Sequence, residues 1–234
     1  MGVFRFKQFS VDDSGCGMKI CSDSVLLGAW FLPSHSHAAS VLDIGAGSGL
    51  LALMAAQVCP EASVTGIEID PKAAAAARAN FAGSPFAARL TVTEGDFNTI
   101  TLPLHNDIII SNPPYFVTGE RSADTARSTA RHQASLSYEA IFNKSGLIKP
   151  EGHIGLVSPA EFEQDIIFHA EMAGLKLRRL LRVCTTTARA ASRLLWDFSR
   201  TDGPVTEEIL KLRNSAGELT EGYRRMVDAF YVKI

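Results

Sequence analysis

Apolar and polar residues change rhythm several times along the chain, and each change marks an expected element. Val3, Phe4, Arg5, Phe6 and Lys7 begin a short strand over residues 3–9. The apolar run SVLLGAWFL follows Asp23, whose side chain is placed to cap a helix starting there. SHSHAAS then separates this N-terminal piece from the remainder. From residue 40, strand and helix patterns alternate: SVLDI before a glycine-rich turn and LLALMAAQV; SVTGIEI before Asp70-Pro71 and KAAAAARANF; ARLTVTEGD; NDIIISNPPY; SYEAIFNKSGLI; GHIGLVS; PAEFEQDIIFHAEMAG. LKLRRLLRVCT and SRLLWDFSR follow with only a turn between them, the mark of an antiparallel hairpin. Alternating β and α units predict a parallel sheet covered on both faces. The expectation is therefore an α/β fold of seven strands, Rossmann-like, closed by the hairpin. Residues 1–38 form an N-terminal strand and helix extension packed on a core of residues 39–234.

At 234 residues the chain has room for one sizeable α/β domain. A hydrophobic content of 46% with 21% charged residues reads as an ordinary globular protein. The formal net charge of −2 gives no global pull toward nucleic acid, so any such binding must come from a local patch. Cys16, Cys21, Cys59 and Cys184 form no Cys-x-x-Cys pair and no Cys/His cluster, which argues for reduced thiols and against a zinc site or a disulfide framework. The charged start, MGVFRFKQFS, is not a signal peptide, and no run approaches the roughly 18 apolar residues of a membrane span. A cytoplasmic protein without metal is expected.

Three features at the ends of successive strands suggest a ligand pocket. Asp43-Ile44-Gly45-Ala46-Gly47-Ser48-Gly49 lies at a strand-to-helix junction, where glycines allow close approach of the backbone to a ligand. The spacing is G-x-G-x-G, not the G-x-G-x-x-G of a dinucleotide fingerprint, and alone it fits a plain tight turn equally well. Glu68 ends the next strand, where a carboxylate accepts from a ribose diol, and Asp96 ends the third, where it accepts from an adenine amine with Phe97 over the ring. Asp43 would then face a ligand ammonium. That all three fall at carboxyl ends of parallel strands, the edge where open α/β sheets bind ligands, weighs more than any single motif.

Ser111-Asn112-Pro113-Pro114-Tyr115 follows the fourth strand. The adjacent prolines stiffen the turn and hold the residue before each in extended geometry. The Asn112 side chain and the Pro113 carbonyl then offer two acceptors side by side. A planar amino group presents two N–H donors and a delocalised, poorly nucleophilic lone pair. Accepting both hydrogens frees that lone pair for in-line attack on a methyl donor and stabilises the developing charge. Tyr115 is suited to stack on the flat substrate.

These residues resemble the class I S-adenosyl-L-methionine-dependent methyltransferases that modify amino groups. Nearly the whole chain resembles the bacterial tRNA1(Val) adenine-37 N6-methyltransferase family. The resemblance runs through FKQF, Met18-Lys19, Asp23, Leu26-Leu27-Gly28-Ala29-Trp30, Asn112–Phe116, Ala130-Arg131-His132, Tyr223 and Asp228-Ala229-Phe230-Tyr231. It implies that Asp23, Asp43, Gly45, Gly47, Glu68, Asp96, Phe97 and Asn112 hold the cofactor, and that Asn112, Pro113, Pro114 and Tyr115 form the catalytic loop, with Phe116 beside the base. It also implies a valine tRNA as partner. One departure stands out: Cys21-Ser22-Asp23-Ser24 replaces the usual Gly-Thr-Asp-Gly, with Ser22 able to stand in for the threonine hydroxyl.

A tRNA enzyme needs cationic surface. Residues 176–200 carry Lys176, Arg178, Arg179, Arg182, Arg189, Arg193 and Arg200 against the single carboxylate Asp197. Arg121, Arg127 and Arg131 follow the catalytic loop, and Lys7 with Arg5 extends the expected track. His132 and Trp196 read as structural. Other acceptors with the same planar donor chemistry, ribosomal RNA at adenine N6 or guanine N2 and a protein glutamine, remain alternatives. A catalytically silent binding module fits the intact Asn-Pro-Pro-Tyr loop poorly. A monomer is expected.

Overall fold

The computed structural model describes residues 2–102, 104–114 and 136–233. One sheet organises the chain: β3 (Ser40–Ile44), β4 (Ser63–Glu68), β5 (Leu90–Glu94), β6 (Asn106–Ser111), β7 (Ile148–Pro159), β8 (Lys176–Thr186), β9 (Ala191–Ser199) and β10 (Thr206–Arg213). Across the sheet the order is β10-β8-β9-β7-β6-β3-β4-β5. The strands from β5 to β7 are parallel, and β9 runs antiparallel between β7 and β8. The expected seven strands are all present. An eighth, β10, extends the edge by pairing in parallel with β8.

Helices cover both faces. Alternation along the strands sorts their side chains: Val41, Ile108, Leu181 and Leu195 face one core, and Leu42, Ile109, Leu180 and Leu194 face the other. The first core is completed by α1 (Ser22–Phe31), α2 (Leu50–Val58), α3 (Pro71–Ala82) and the C-terminal α6 (Glu221–Val227). The second is closed by α4 (Tyr138–Asn143) and α5 (Glu163–Met172), through Ile141, Phe142, Ile166 and Ala170. Asp70 caps α3 as expected, accepting from Lys72 N at 3.0 Å, with Pro71 at the first helical position.

The N-terminal segment differs from the expectation in two ways. The single strand over 3–9 is instead a hairpin, β1 (Val3–Arg5) against β2 (Ser10–Asp12), because Phe6 N donates to Phe9 O at 2.8 Å and turns the chain. Asp23 does not cap α1. The cap position is Cys21, without a side-chain bond, and Asp23 lies inside the first turn with its carboxylate on Arg193 Nε at 2.8 Å. Asn80 of α3 clips the hairpin to the turn after β3: its amide accepts from Asp12 N at 2.9 Å and donates to Ser48 O at 2.9 Å. Phe6 pairs with Tyr231 and Lys7 N donates to Phe230 O at 2.7 Å, so both ends of the chain meet.

Near the carboxyl end of β9, away from the strand ends that carry the glycine turn, Asp197 is buried at 1% exposure. His153 Nδ1 lies 2.6 Å from one carboxylate oxygen and His35 Nε2 3.0 Å from the other. Burial alone would raise this carboxyl; the two imidazole contacts outweigh it and hold Asp197 below its ordinary value. A group held low contributes stability above its unfolded pKa of about 3.9 and loses it as the pH falls through the folded value. Asp197→Ala should therefore cost about 3 kcal/mol in urea unfolding at neutral pH. The acid limb of the stability curve should be shallower in Asp197→Asn than in the wild type; equal limbs would mean that the carboxylate carries no folding linkage.

Candidate active site

The strand order reverses at β3: the chain moves outward through β4 and β5, then returns to place β6 on the other side. Loops leaving β3 and β6 therefore diverge and open a crevice at the carboxyl edge. Ser111, fully buried at the end of β6, donates its hydroxyl to Ile44 O at 2.7 Å. That bond ties the two strand ends together and sets Asn112 beside Gly45.

The turn after β3 needs backbone conformations that side chains resist. Gly47 has φ +55° and directs its N–H onto Glu68 Oε2 at 2.7 Å. Gly49 has φ +85° and begins α2; a Cβ there would run into the ring of Phe81. Glu68 is almost wholly buried, and its other oxygen accepts from Asp70 N at 2.9 Å. One carboxylate thus braces the turn after β3 against the turn after β4.

Asp43 lies beneath this turn at 1% exposure. Its Oδ2 accepts from Ala52 N at 3.0 Å, while its Oδ1 has no partner among the described residues. Burial pushes the carboxyl up to about 7; the Ala52 bond pulls it back and the nearby Glu68 charge adds to the rise. A buried carboxylate oxygen without a donor is costly unless a cationic or donor group completes the site.

In front of this turn, with Asp43 beneath it rather than among the lining residues, opens a cavity of about 420 Å³. Gly45, Gly47, Glu68 and Phe97 line it together with Asn112 and Pro114. The strands thus bring these predicted residues of the cofactor pocket and the catalytic loop to one wall. Pro113 is buried behind it. Asp96 is half-buried and not among the lining residues, because its Oδ1 closes a turn onto Asn98 N at 2.9 Å. Tyr115, Phe116, Arg121, Arg127, Arg131 and His132 lie outside the described residues.

Sequence reading missed two contributions. Cys16, Gly17 and Met18 wall the cavity from the N-terminal segment, carried there by the clip between Asn80 and the hairpin rather than by any local motif. Asn112 Nδ2 donates to Ser24 Oγ at 2.8 Å and to Cys21 Sγ at 3.3 Å. The only signal for these was the departure at residues 21–24.

The expected arginines differ in strand position and in pairing. Leu156 lies opposite Ser111 and Pro159 opposite Arg193, so the β8–β9 turn reaches the crevice edge and carries exposed Arg189 there. Arg178 sits at the far end of β8, roughly 25 Å away at the rise of an extended strand, where it donates to Thr201 O at 3.2 Å. Arg182 is held by both oxygens of Glu163, at 2.8 and 2.6 Å, and by Glu207. Arg193 is paired with Asp23, and Lys7 with Asp228 at 3.1 Å. The hairpin has one carboxylate of its own, but neighbouring elements supply the rest.

The family model of the methyltransferase small domain matches residues 19–137. The chain is 42% identical to the tRNA1(Val) (adenine(37)-N6)-methyltransferase of Shewanella amazonensis, covering 99% of both chains. It is 37% identical to the protein of the same name from Porphyromonas gingivalis, covering 98% of this chain and 94% of that one. A solved structure described as a predicted O-methyltransferase from Agrobacterium tumefaciens superposes with a TM-score of 0.69 at 20% identity, covering 88% of this chain and 96% of the other, a likeness of fold.

The turn geometry makes a direct prediction. Gly49→Ala must hold a left-handed φ, costing about 1–2 kcal/mol, and must also displace Phe81. Its melting temperature should fall without any ligand present; an unchanged value would mean that the turn tolerates a side chain.

Proposed function

Because the chain belongs to the tRNA1(Val) (adenine(37)-N6)-methyltransferase family, we propose that it methylates N6 of adenine 37 in that tRNA, using S-adenosylmethionine as donor. The observation that carries this reading at the site is the meeting of Asn112 with Glu68, Gly45 and Gly47 on one cavity wall, above the unpartnered oxygen of Asp43.

The residues fit the donor. Asp43 Oδ1 would take the methionine ammonium, whose positive charge returns the carboxyl to its ionised form. Glu68 would accept from the ribose hydroxyls and Phe97 would cover the adenine; Asp96, outside the lining and bonded to Asn98, would reach the amine only through its other oxygen. Asp23, joined to Arg193, would support the adjoining wall rather than reach the donor itself. When bound, S-adenosylmethionine supplies an electrophilic methyl on a sulfonium centre.

The protein's part is orientation and charge. Asn112 Oδ1 and the Pro113 carbonyl accept the two N–H bonds of the target amine, which turns its lone pair out of conjugation. As the nitrogen gains positive charge, the same two oxygens stabilise it without reorganising. Pro113 and Pro114 fix the loop so that both acceptors converge. Tyr115 and Phe116 would clasp the base. Exposed Arg189 at the crevice edge would meet RNA phosphate, and the sequence adds Arg127 and Arg131 to the cations available for it.

No helix among the described residues is long and apolar enough to cross a membrane. The four cysteines are free. Both suit an enzyme working on the cytoplasmic tRNA pool.

The test is transfer of labelled methyl to tRNA from cells lacking this activity, followed by nucleoside identification. N6-methyladenosine in the valine tRNA supports the reading. Label in ribosomal RNA or in a protein glutamine would replace the acceptor. Asn112→Ala should lower kcat by about 10²–10³ with donor affinity retained; loss of both in parallel would remove Asn112 from the chemical step. Arg189→Glu should raise the tRNA KM and leave donor affinity unchanged, and an unaltered KM would move docking elsewhere.

A further inference from the structure

We propose that Ser24, assisted by Cys21, is the positioning residue that orients the Asn112 carboxamide for acceptance of the substrate amine. The proposal rests on the reading of Asn112 as the amine acceptor and concerns which atom of its amide faces the base.

A carboxamide has two unlike arms. Its oxygen accepts from an amino group, whereas its NH₂ arm would set donors against donors. Rotation about the last side-chain bond of asparagine is broad and roughly two-fold, so the torsion itself chooses poorly between them. The choice must come from neighbours. Here the nitrogen arm is taken up by two groups, Ser24 Oγ at 2.8 Å and Cys21 Sγ at 3.3 Å. The planar amide then sends Oδ1 along its other arm. Ser24 Oγ also lies 3.7 Å from Cys21 Sγ; whichever of the two donates across that contact, a lone pair on the hydroxyl oxygen remains for the amide.

These neighbours are held firmly. Cys21 is the cap position of α1 and Ser24 lies in its first turn. From Val25 to Phe31 that helix is buried in the core. Between the two orienting residues, Asp23 anchors the same turn to β9 through Arg193 at 2.8 Å. Cys21, Ser24 and Asn112 also line a second, smaller hollow of about 50 Å³ that shares Gly45 and Gly47 with the main cavity. The orienting groups therefore stand behind the amide, outside the larger cavity's own lining.

Steady-state kinetics on the intact enzyme with valine tRNA separates positioning from binding. Ser24→Ala should lower kcat by about ten- to a hundredfold, the scale of a misplaced reacting group, while the tRNA KM and the S-adenosylmethionine affinity stay near wild type. Ser24→Thr should restore turnover because it returns the hydroxyl. Retained donor affinity also reports that the variant is folded; should Ser24→Ala fail to fold, Ser24→Gly is read in its place. Wild-type kcat in the alanine variant, no rescue by threonine, or a parallel loss of donor affinity would each overturn the proposal. In the Asn112→Ala background, Ser24→Ala should add nothing, and a further loss would show that the hydroxyl acts elsewhere. Wild-type turnover of Asn112→Ala alone would sink the underlying reading of Asn112, a result distinct from all of these.

Discussion

Everything at the active edge depends on the seam between β3 and β6. Two neighbouring parallel strands send their chains in opposite directions, and one buried hydroxyl, Ser111 Oγ on Ile44 O, joins their ends. Without that seam the glycine turn and the Asn-Pro-Pro loop would be separate surface features. With it, a proline-stiffened loop is set against a glycine-rich turn. Prolines remove freedom on one side, and glycines supply positive φ on the other.

The same edge concentrates negative charge in a place that burial penalises. Asp43 and Glu68 are both nearly enclosed, and the Glu68 charge raises the cost of ionising Asp43. Glu68 is compensated by two backbone N–H groups, but Asp43 by only one, with an oxygen left over. This asymmetry separates structure from function. Glu68 already braces two turns, whereas under the proposed function Asp43 would be completed by the cationic end of the donor. A site of this kind gives up a little stability when empty and gains affinity for a positively charged ligand.

Much of this was legible in the residues because it was local. Period-two alternation and apolar runs marked the strands from β3 to β9, and Asp70-Pro71 announced the start of α3. The placing of Glu68, Gly45, Gly47 and Asn112 followed from strand ends alone. What escaped notice was non-local or masked by charge. In β10, Glu208, Leu210 and Leu212 point inward while Glu207, Ile209 and Lys211 point out, yet the acidic pair obscures the alternation. Asp23 resembled a helix cap because nothing in the sequence announces Arg193, far along the chain, as its partner. The Ser24–Asn112 contact spans 88 positions and belongs to no motif.

Charge accounting shows why composition misleads about RNA binding. Counted along the hairpin, seven basic residues face one acid, and that acid is buried on two histidines at the far half of the sheet. Counted in space, Arg182 and Arg193 already have carboxylates from α5, β10 and α1, and Arg179 has Glu208 as well as the face of Trp30 at 4.4 Å. A phosphate must displace those partners before it gains anything from these side chains, so their contribution to affinity is small. Each phosphate that is neutralised steepens the salt dependence by about 0.9, and paired arginines add little to that slope. Under the proposed function, docking would fall to exposed Arg189 at the β8–β9 turn, which makes no ion pair with the described residues, and to Arg127 and Arg131 of the sequence. On that reading a near-neutral chain would hold tRNA through a few charges at the crevice mouth, phosphate contacts fixing the register while base contacts specify.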